Sequence, residues 1–206
     1  MSGALPNTSD FTAINVKSNQ QTQISISDSG KTFRRQVAGQ YWSFSLSFPE
    51  MTRANFAPLQ AFMIKQRGAK ESFTVTFPSY MNALGNETGS VAVNGAHTAG
   101  DTTIALDGFA GDGAGRFKAG DFIKFANHNK VYMIVSDVTS SSNAATVTIE
   151  PPITTALSND EAVTYDSVPF TVYAPNEVQQ FRASNSSSLP ALNSYPDVEA
   201  TSDTPT

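Results

Sequence analysis

The segment Gln40–Phe48 alternates between polar and apolar side chains, and it restricts the possible folds more than any other part of the sequence. Successive side chains of a β-strand point to opposite faces, so this pattern predicts a strand with one buried face and one polar face. The side chains predicted to face a core are Trp42, Phe44, Leu46 and Phe48. Tyr41 is predicted to point outward, where an interface contact and a ligand platform are both open.

A hairpin is predicted before this strand and a helix after it. Gln23–Ser27 alternates like a half-buried strand, and the turn residues Asp28–Lys31 lead into a return strand at Thr32–Val37. Thr52 is a suitable N-cap for the helix, and Gly68 is expected just beyond its last turn. The apolar stripe with which this helix would lie across the sheet consists of Phe56, Leu59, Phe62 and Met63.

Residues 89–164 have a different character, because short β-prone runs there are separated by turn clusters rich in Gly, Asp, Ser and Asn. This spacing predicts a compact all-β domain, a small barrel or sandwich. Alternation resumes at Val168–Phe181, which is too short to be a domain and is predicted to return to the first sheet. The second domain is thus an insertion, and its predicted strands are Ser90–Asn94, Thr102–Leu106, Asp121–Phe125, Val131–Val138, Ala144–Ile149 and Glu161–Tyr165.

The predicted fold is mainly β: a β-sandwich or barrel first domain with one helix, and an inserted small β-barrel. The first domain is discontinuous and comprises residues 23–88 and 165–182. Residues 1–22 are polar and lack a periodic pattern, so they are interpreted as an extended arm. Residues 183–206 have the composition of a polar tail, which is expected to be ordered only by contacts.

Composition excludes several classes of function. Lys and Arg number 13 against 18 Asp and Glu, so the net charge of −5 argues against a protein that grips nucleic acid. The chain has no Cys, which excludes disulfides, thiolate zinc sites and cysteine nucleophiles. Neither a signal peptide nor a run of roughly 20 apolar residues is present. Charged residues make up 15% of the chain, against about 25% in ordinary domains, which suits a surface covered by neighbours.

No pattern in the sequence indicates catalysis, a metal ion or a cofactor. His97 and His128 lack a second histidine at ligand spacing and are interpreted as solvated loop residues. The Asp107–Gly113 loop fails the spacing of a calcium loop, and the glycines at 108, 111, 113 and 115 are not followed by Gly-Lys-Ser/Thr. A glycosidase needs two carboxylates that face one cleft, and no spacing in the sequence indicates such a pair among Glu150, Asp160 and Glu161. The chain is therefore predicted not to be an enzyme.

Two motifs resemble those of a known family. Gln40–Glu50, followed by a helix, is similar to the first domain of bacteriophage distal tail proteins. Phe117–Phe125, then His128 and Lys130–Ile134, is similar to their inserted domain. The resemblance extends over roughly residues 23–175, and it is closest to the short siphophage form whose inserted domain is an OB-type barrel.

The resemblance implies a structural protein of the virion, made in the host bacterial cytoplasm and placed at the tail tip. Six copies would form a ring, with first domains around the channel and inserted domains pointing outward. The ring would join the tail tube protein to the baseplate hub or tail fibre proteins and serve as an attachment platform. Neither sequence-specific nucleic acid nor a membrane span is expected, and the family brings no catalytic residue.

Two alternatives remain open at this point. The inserted barrel could bind a host surface glycan, or anchor a receptor-binding protein of a baseplate, through exposed aromatic side chains. Phe109, Tyr132 and Tyr165 are the candidates on the barrel, in addition to Tyr41 on the first domain. The other alternative is a tube-completion or baseplate-completion protein of a contractile tail, which could use the same fold.

Overall fold

A computed structural model describes residues 2–6, 11–37, 39–77, 80–176 and 200–202. These residues are mainly strands with one α-helix, so the predicted mainly β class is confirmed. In chain order the elements are β1 (Ala13–Asn19), β2 (Thr22–Ile26), β3 (Thr32–Gln36), β4 (Tyr41–Ser47), α1 (Arg53–Lys65), β5 (Ser72–Val75), β6 (Ala92–Val93), β7 (Thr103–Asp107), β8 (Gly113–Phe117), β9 (Phe122–Phe125), β10 (Val131–Ile134), β11 (Val138–Ser140), β12 (Ala144–Glu150), β13 (Val163–Thr164), β14 (Phe170–Tyr173) and β15 (Ala200–Ser202).

The chain divides into two units. The first comprises residues up to Thr74 and, in the main, those from Val172 onward, and the second comprises Val75–Thr171. A five-stranded sheet in the order β1-β4-β15-β14-β5 belongs to the first unit. Strand β14, which is part of the segment predicted to return to the first sheet, lies in this sheet. Of the predicted tail, residues 200–202 form β15, while residues 183–199 and 203–206 lie outside the described residues.

Strand β4 has the alternation that the sequence predicts: Trp42, Phe44 and Leu46 are buried and Tyr41 is half-buried. Strand β1 pairs with it antiparallel along its whole length. The interpretation of residues 1–22 as an arm is therefore wrong for β1. Ile14 and Val16 are only half-buried, so the sequence pattern of this strand is weak, and pairing with β4 defines it.

Helix α1 buries Phe56, Leu59 and Met63, which are three of the four predicted stripe residues. Thr52 occupies the N-cap position, but its side chain makes no capping hydrogen bond; its carbonyl instead accepts the Phe56 N–H at 3.0 Å. At the other end, Arg67 has a φ of 57° directly after the C-cap residue. The left-handed position that ends the helix thus falls one residue before the predicted Gly68.

One edge of the first sheet is covered by the chain's own N-terminal residues. The Ser2 N–H donates to the Ser72 carbonyl and the Leu5 N–H donates to the Thr74 carbonyl, both at 2.8 Å. The Thr74 N–H donates back to the Gly3 carbonyl at 2.9 Å. Leu5 is buried, which fixes this short parallel pairing, and the backbone groups of β5 on that side are satisfied.

The second unit is a nearly closed barrel of six strands in the order β13-β9-β10-β12-β7-β6. Its two outer strands approach each other: the Val93 N–H donates to the Glu161 carbonyl at 2.9 Å, and the Val163 N–H donates to the Val91 carbonyl at 3.0 Å. Closure removes the open edges that a flat sheet of this size would expose. The barrel interior is one apolar core built mainly from Ile104, Leu106, Phe117, Ile123, Phe125, Tyr132, Ile134, Val147 and Ile149.

Strand β8 was not predicted. It contains Gly113 and Gly115, both at positive φ. Closely spaced glycines in a sequence usually indicate a turn and not a strand. The strand forms because it pairs with β11, with an irregularity between Val138 and Thr139. The predicted strand Val131–Val138 accordingly splits into β10 and the start of β11.

Strands β2 and β3 form the predicted hairpin, with Thr22 opposite Gln36 and Ile26 opposite Thr32. The expectation that one face of this hairpin is half-buried is wrong. Every residue of both strands is exposed, and the exposed fraction of the residue reaches 69% at Ile26. Alternation indicates that a strand has two different faces, but it does not say whether this chain supplies anything to cover them.

Candidate functional site

The aromatic residues that the sequence suggested as a ligand platform do not form an exposed surface. Phe109 is 2% exposed and Tyr132 is fully buried, so the expectation that these two side chains face solvent is wrong. Phe109 turns inward from its loop and packs on Phe117, with ring centroids 5.4 Å apart. Tyr165 is half-buried against the same core, and its hydroxyl donates to the Gly89 carbonyl at 2.7 Å. Tyr41, half-buried on β4, keeps the outward position expected of it.

Tyr132 instead lies at the centre of a hydrogen-bond network inside the barrel. Its hydroxyl is 2.7 Å from His128 Nε2, 3.2 Å from Thr154 Oγ1 and 3.1 Å from the Thr154 N–H that it accepts. On the other side of the imidazole ring, His128 Nδ1 contacts Asn127 Oδ1. Because an amide oxygen only accepts, Nδ1 carries the proton, and Nε2 is then free to accept the Tyr132 hydroxyl proton. The network is complete when the imidazole is neutral.

Burial and nearby positive charge both favour that neutral imidazole. Burial lowers the pKa of His128, and the neighbouring Lys124 ammonium lowers it further. Burial also lowers the pKa of Lys124 and brings that of Lys130 to about 8. The Lys124 ammonium donates to Asn129 Oδ1 at 3.2 Å. At this end of the barrel the ammonium of Lys124 and the neutral imidazole of His128 both bind neighbouring side chains. These contacts are suited to holding the loop between β9 and β10 in one conformation.

The pKa of His128 gives a prediction about pH. A histidine whose pKa in the folded protein is lower than in the unfolded chain stabilises the fold fully only above the ordinary pKa of 6.5. Stability is then lost as the pH falls through the folded pKa, because the unfolded chain binds the proton more tightly. We expect the urea midpoint to fall between about pH 7.5 and about pH 5, and to fall less in His128→Asn. If the urea midpoint falls equally with pH in the wild type and in His128→Asn, this prediction is contradicted.

Two buried carboxylates that the sequence did not single out fasten the loop at residues 82–89 to the barrel. Asp121 Oδ1 accepts the Leu84 N–H at 2.7 Å, and its Oδ2 accepts the Gly85 N–H at 3.2 Å and the Lys118 N–H at 2.8 Å. In the sequence Gly120-Asp121 is only one of several turn-like pairs. Nothing in its composition shows that this carboxylate accepts hydrogen bonds from a segment 36 residues away.

The second carboxylate, Glu87, binds backbone N–H groups from two loops. Its Oε1 accepts the N–H groups of Gly89 at 2.6 Å, Ala110 at 2.8 Å and Thr88 at 3.0 Å. Its Oε2 lies 3.7 Å from Arg116 Nη1, which partly balances the buried charge. The Asp107–Gly113 loop is therefore held by Glu87 from one side. From the other side, Asp112 Oδ1 accepts the Asn143 N–H at 2.8 Å, so this loop serves as a turn, as its Gly and Asp content indicates.

The histidines are in loops, as predicted, but neither is simply solvated. His97 Nε2 accepts the Ala105 N–H at 3.1 Å, and only 16% of its side chain is exposed. Among the described residues, no group of three or more His, Asp or Glu side chains could hold a metal ion. Glu150, Asp160 and Glu161 are likewise not gathered into such a group. Within that same part of the chain, no helix has the length and apolar character to cross a membrane.

Two family models match parts of this chain. Residues 6–80 match the model of the N-terminal part of the A domain of distal tail protein pb9. Residues 80–168 match the model of the B domain of the same protein, which lies within the second unit. The chain belongs to the bacteriophage distal tail protein family.

A curated relative shows the same likeness over most of both chains. The distal tail protein pb9 of Escherichia phage T5 is 23% identical to this chain over 161 residues, which cover 78% of this chain and 77% of that protein. Membership makes this distal tail protein a component of a phage tail. The carboxylates Asp121 and Glu87 and the network around Tyr132 all lie in the segment that matches the B domain.

Proposed function

We propose that this distal tail protein forms a hexameric ring at the end of the phage tail. The ring joins the tail tube protein to the baseplate hub or tail fibre proteins and is a platform on which they attach. The observation that carries the proposal is the match, in order, to the N-terminal part of the A domain and to the B domain of one distal tail protein over residues 6–168. The role is structural and needs no catalytic group, metal ion or cofactor.

The properties of the two units support different roles for them in the ring. The first unit has a sheet whose β1 edge is open to strand pairing among the described residues, and closed rings are built from such repeated contacts. The second unit has a nearly closed barrel with its own core, so it is suited to project as an independent module. We assign this barrel to the OB type. Its interior aromatic residues give it stability and do not form a binding surface.

The oligomeric state in assembled tails tests this function. Cross-linking of purified virions, followed by denaturing electrophoresis, is expected to give a ladder ending near six chains of 22.0 kDa, about 130 kDa. Antibodies against the chain are expected to label the tail tip. Labelling along the tube or on the capsid, or a ladder that ends at another number, would exclude the ring at the tail end.

A glycan-binding role for the barrel has less support, because Phe109 and Tyr132 are buried. The match to a distal tail protein likewise favours the ring over a completion protein of a contractile tail. Binding of the virion to a glycan array, lost in a variant that lacks residues 89–164 but still assembles, would restore the first alternative.

A further inference from the structure

The hairpin β2–β3 lies between β1 and β4 in the chain but is not part of their sheet. Five residue pairs join its strands, from Thr22 with Gln36 to Ile26 with Thr32, and the Val37 N–H donates to the Gln21 carbonyl at 3.0 Å. These pairs follow those of β1 with β4 along the chain, but the register changes between the two, since Asn19 is opposite Tyr41 and Thr22 is opposite Gln36. Among the described residues, β2 and β3 form a two-stranded sheet of their own.

Apolar side chains occupy both faces of this hairpin. Directly paired residues of an antiparallel ladder lie on the same face, so Ile24 and Ile26 share one face and Phe33 lies on the other. The exposed fractions are 61% for Ile24, 69% for Ile26, 52% for Phe33 and 59% for Val37. A lone two-stranded hairpin is marginally stable in water, and such clustered exposed apolar residues mark an interaction surface.

The charge of the hairpin differs in sign from that of the rest of the chain. Residues 20–37 contain Lys31, Arg34 and Arg35 against the single acid Asp28, a formal charge of +2. The whole chain carries −5, so the remaining residues carry −7. Residues 75–171 alone carry −6, with ten acids against four bases. Glu87 and Asp121 are buried, but the other eight acids still outnumber the four bases, so a second copy of this chain carries a net negative charge that complements the basic hairpin.

We propose that residues 20–37 are an arm that packs on a second copy of this chain, burying Ile24, Ile26 and Phe33 against it and placing Arg34 and Arg35 beside its carboxylates. The inference rests on the proposed ring. Each copy gives one arm and receives one, and such a head-to-tail contact closes into a ring when the rotation between copies permits. The arm thus makes an apolar contact that the described residues of its own chain do not supply.

A photo-crosslinking residue in assembled tails tests what the arm touches. Phe33→p-benzoylphenylalanine is introduced into the full chain, purified virions are irradiated, and the crosslinked peptides are identified by mass spectrometry. We expect dimers of this chain with a peptide of the same chain joined to position 33. The control is Asn129→p-benzoylphenylalanine on an exposed barrel loop, which is expected to give no such dimer.

Crosslinks at position 33 only to a different tail protein, only within one chain, or to nothing would overturn the proposal. Antibody labelling of the same virions distinguishes failure of the proposed arm contact from failure of the proposed ring function. A chain found at the tail tip in sixfold copies with its arm on another protein rejects the arm contact alone. A chain absent from the tip rejects the proposed function.

A second variant guards against failure of the probe to assemble. Ile24→Ser/Ile26→Ser/Phe33→Ser changes only exposed side chains, so the purified chain is expected to keep the wild-type thermal midpoint. Incorporation into tails is expected to fall by more than about tenfold, because a few apolar anchors carry most of an interface's affinity. Val135→Ser, at an exposed barrel residue, is the matched control. Wild-type incorporation of the triple variant would overturn the proposal.

Discussion

Gly108→Ala is expected to lower the free energy of unfolding by about 3 to 5 kcal/mol, because overpacking and a left-handed backbone each cost a part of that sum. A Cβ at this position would stand 2.3 Å from the Ser90 carbonyl oxygen, which is backbone and cannot turn aside. The backbone of this residue also has a φ of +76°, which residues other than glycine rarely adopt. Urea unfolding followed by circular dichroism measures the loss, and hydrogen exchange locates it in residues 88–111.

Gly95→Ala is the matched control for Gly108→Ala. Gly95 has a similar φ of +88°, but a Cβ there would meet nothing within 4 Å. Its cost is the backbone conformation alone, roughly 1 kcal/mol. If the two substitutions cost the same, the close approach of Gly108 to Ser90 would be contradicted, and the conformation alone would explain the effect.

Asp121→Ala is expected to cost about 3 to 5 kcal/mol, since removing a buried carboxylate leaves its hydrogen-bond donors without an acceptor. The N–H groups of Leu84, Gly85 and Lys118 all donate to this side chain, which is 2% exposed. Exchange protection is expected to be lost at residues 83–86 before the barrel core opens. The measurements are denaturant unfolding and hydrogen exchange by segment.

Asp137→Ala is the matched control, because Asp137 also accepts a backbone N–H, that of Ala119 at 3.0 Å, but lies exposed at the surface. Its ion pair with Lys118 is open to solvent, and such pairs contribute little. We expect a distinctly smaller loss for Asp137→Ala. A loss as large as that of Asp121→Ala would show that burial of the carboxylate is not what matters.

The sequence predicts best those elements whose pattern is produced by their own burial. Strand β4 has large apolar residues at every second position because one face packs on a core, so its position and its inward side chains are both confirmed. Helix α1 is confirmed for a similar reason, since its stripe of Phe56, Leu59 and Met63 reflects one buried face. All six strands of the barrel sheet overlap β-prone runs that the sequence predicts, because turn residues separate these runs.

The elements that were missed depend on residues far away in the chain. Strand β1 is half-buried and is defined by pairing with β4, and the glycine-rich β8 is defined by pairing with β11. The inward positions of Phe109 and Tyr132 follow from closure of the barrel, which no local spacing reveals. The same is true of Asp121 and Glu87, whose partners are backbone N–H groups without a sequence signature. In the hairpin the pattern was right and the inferred burial was wrong, because alternation does not identify the surface that covers a face.

The chain leaves the first sheet at the end of β5 and returns to it as β14, and these two strands are neighbours. Neighbouring strands are about 4.8 Å apart, so everything between them occupies the place of a connection between two adjacent strands. The entropy of closing such a connection grows only slowly with its length. During phage evolution the residues between β5 and β14 can therefore be shortened, enlarged or exchanged while the rest of the sheet keeps its strand order. Lineages with different hosts are expected to differ most at this junction.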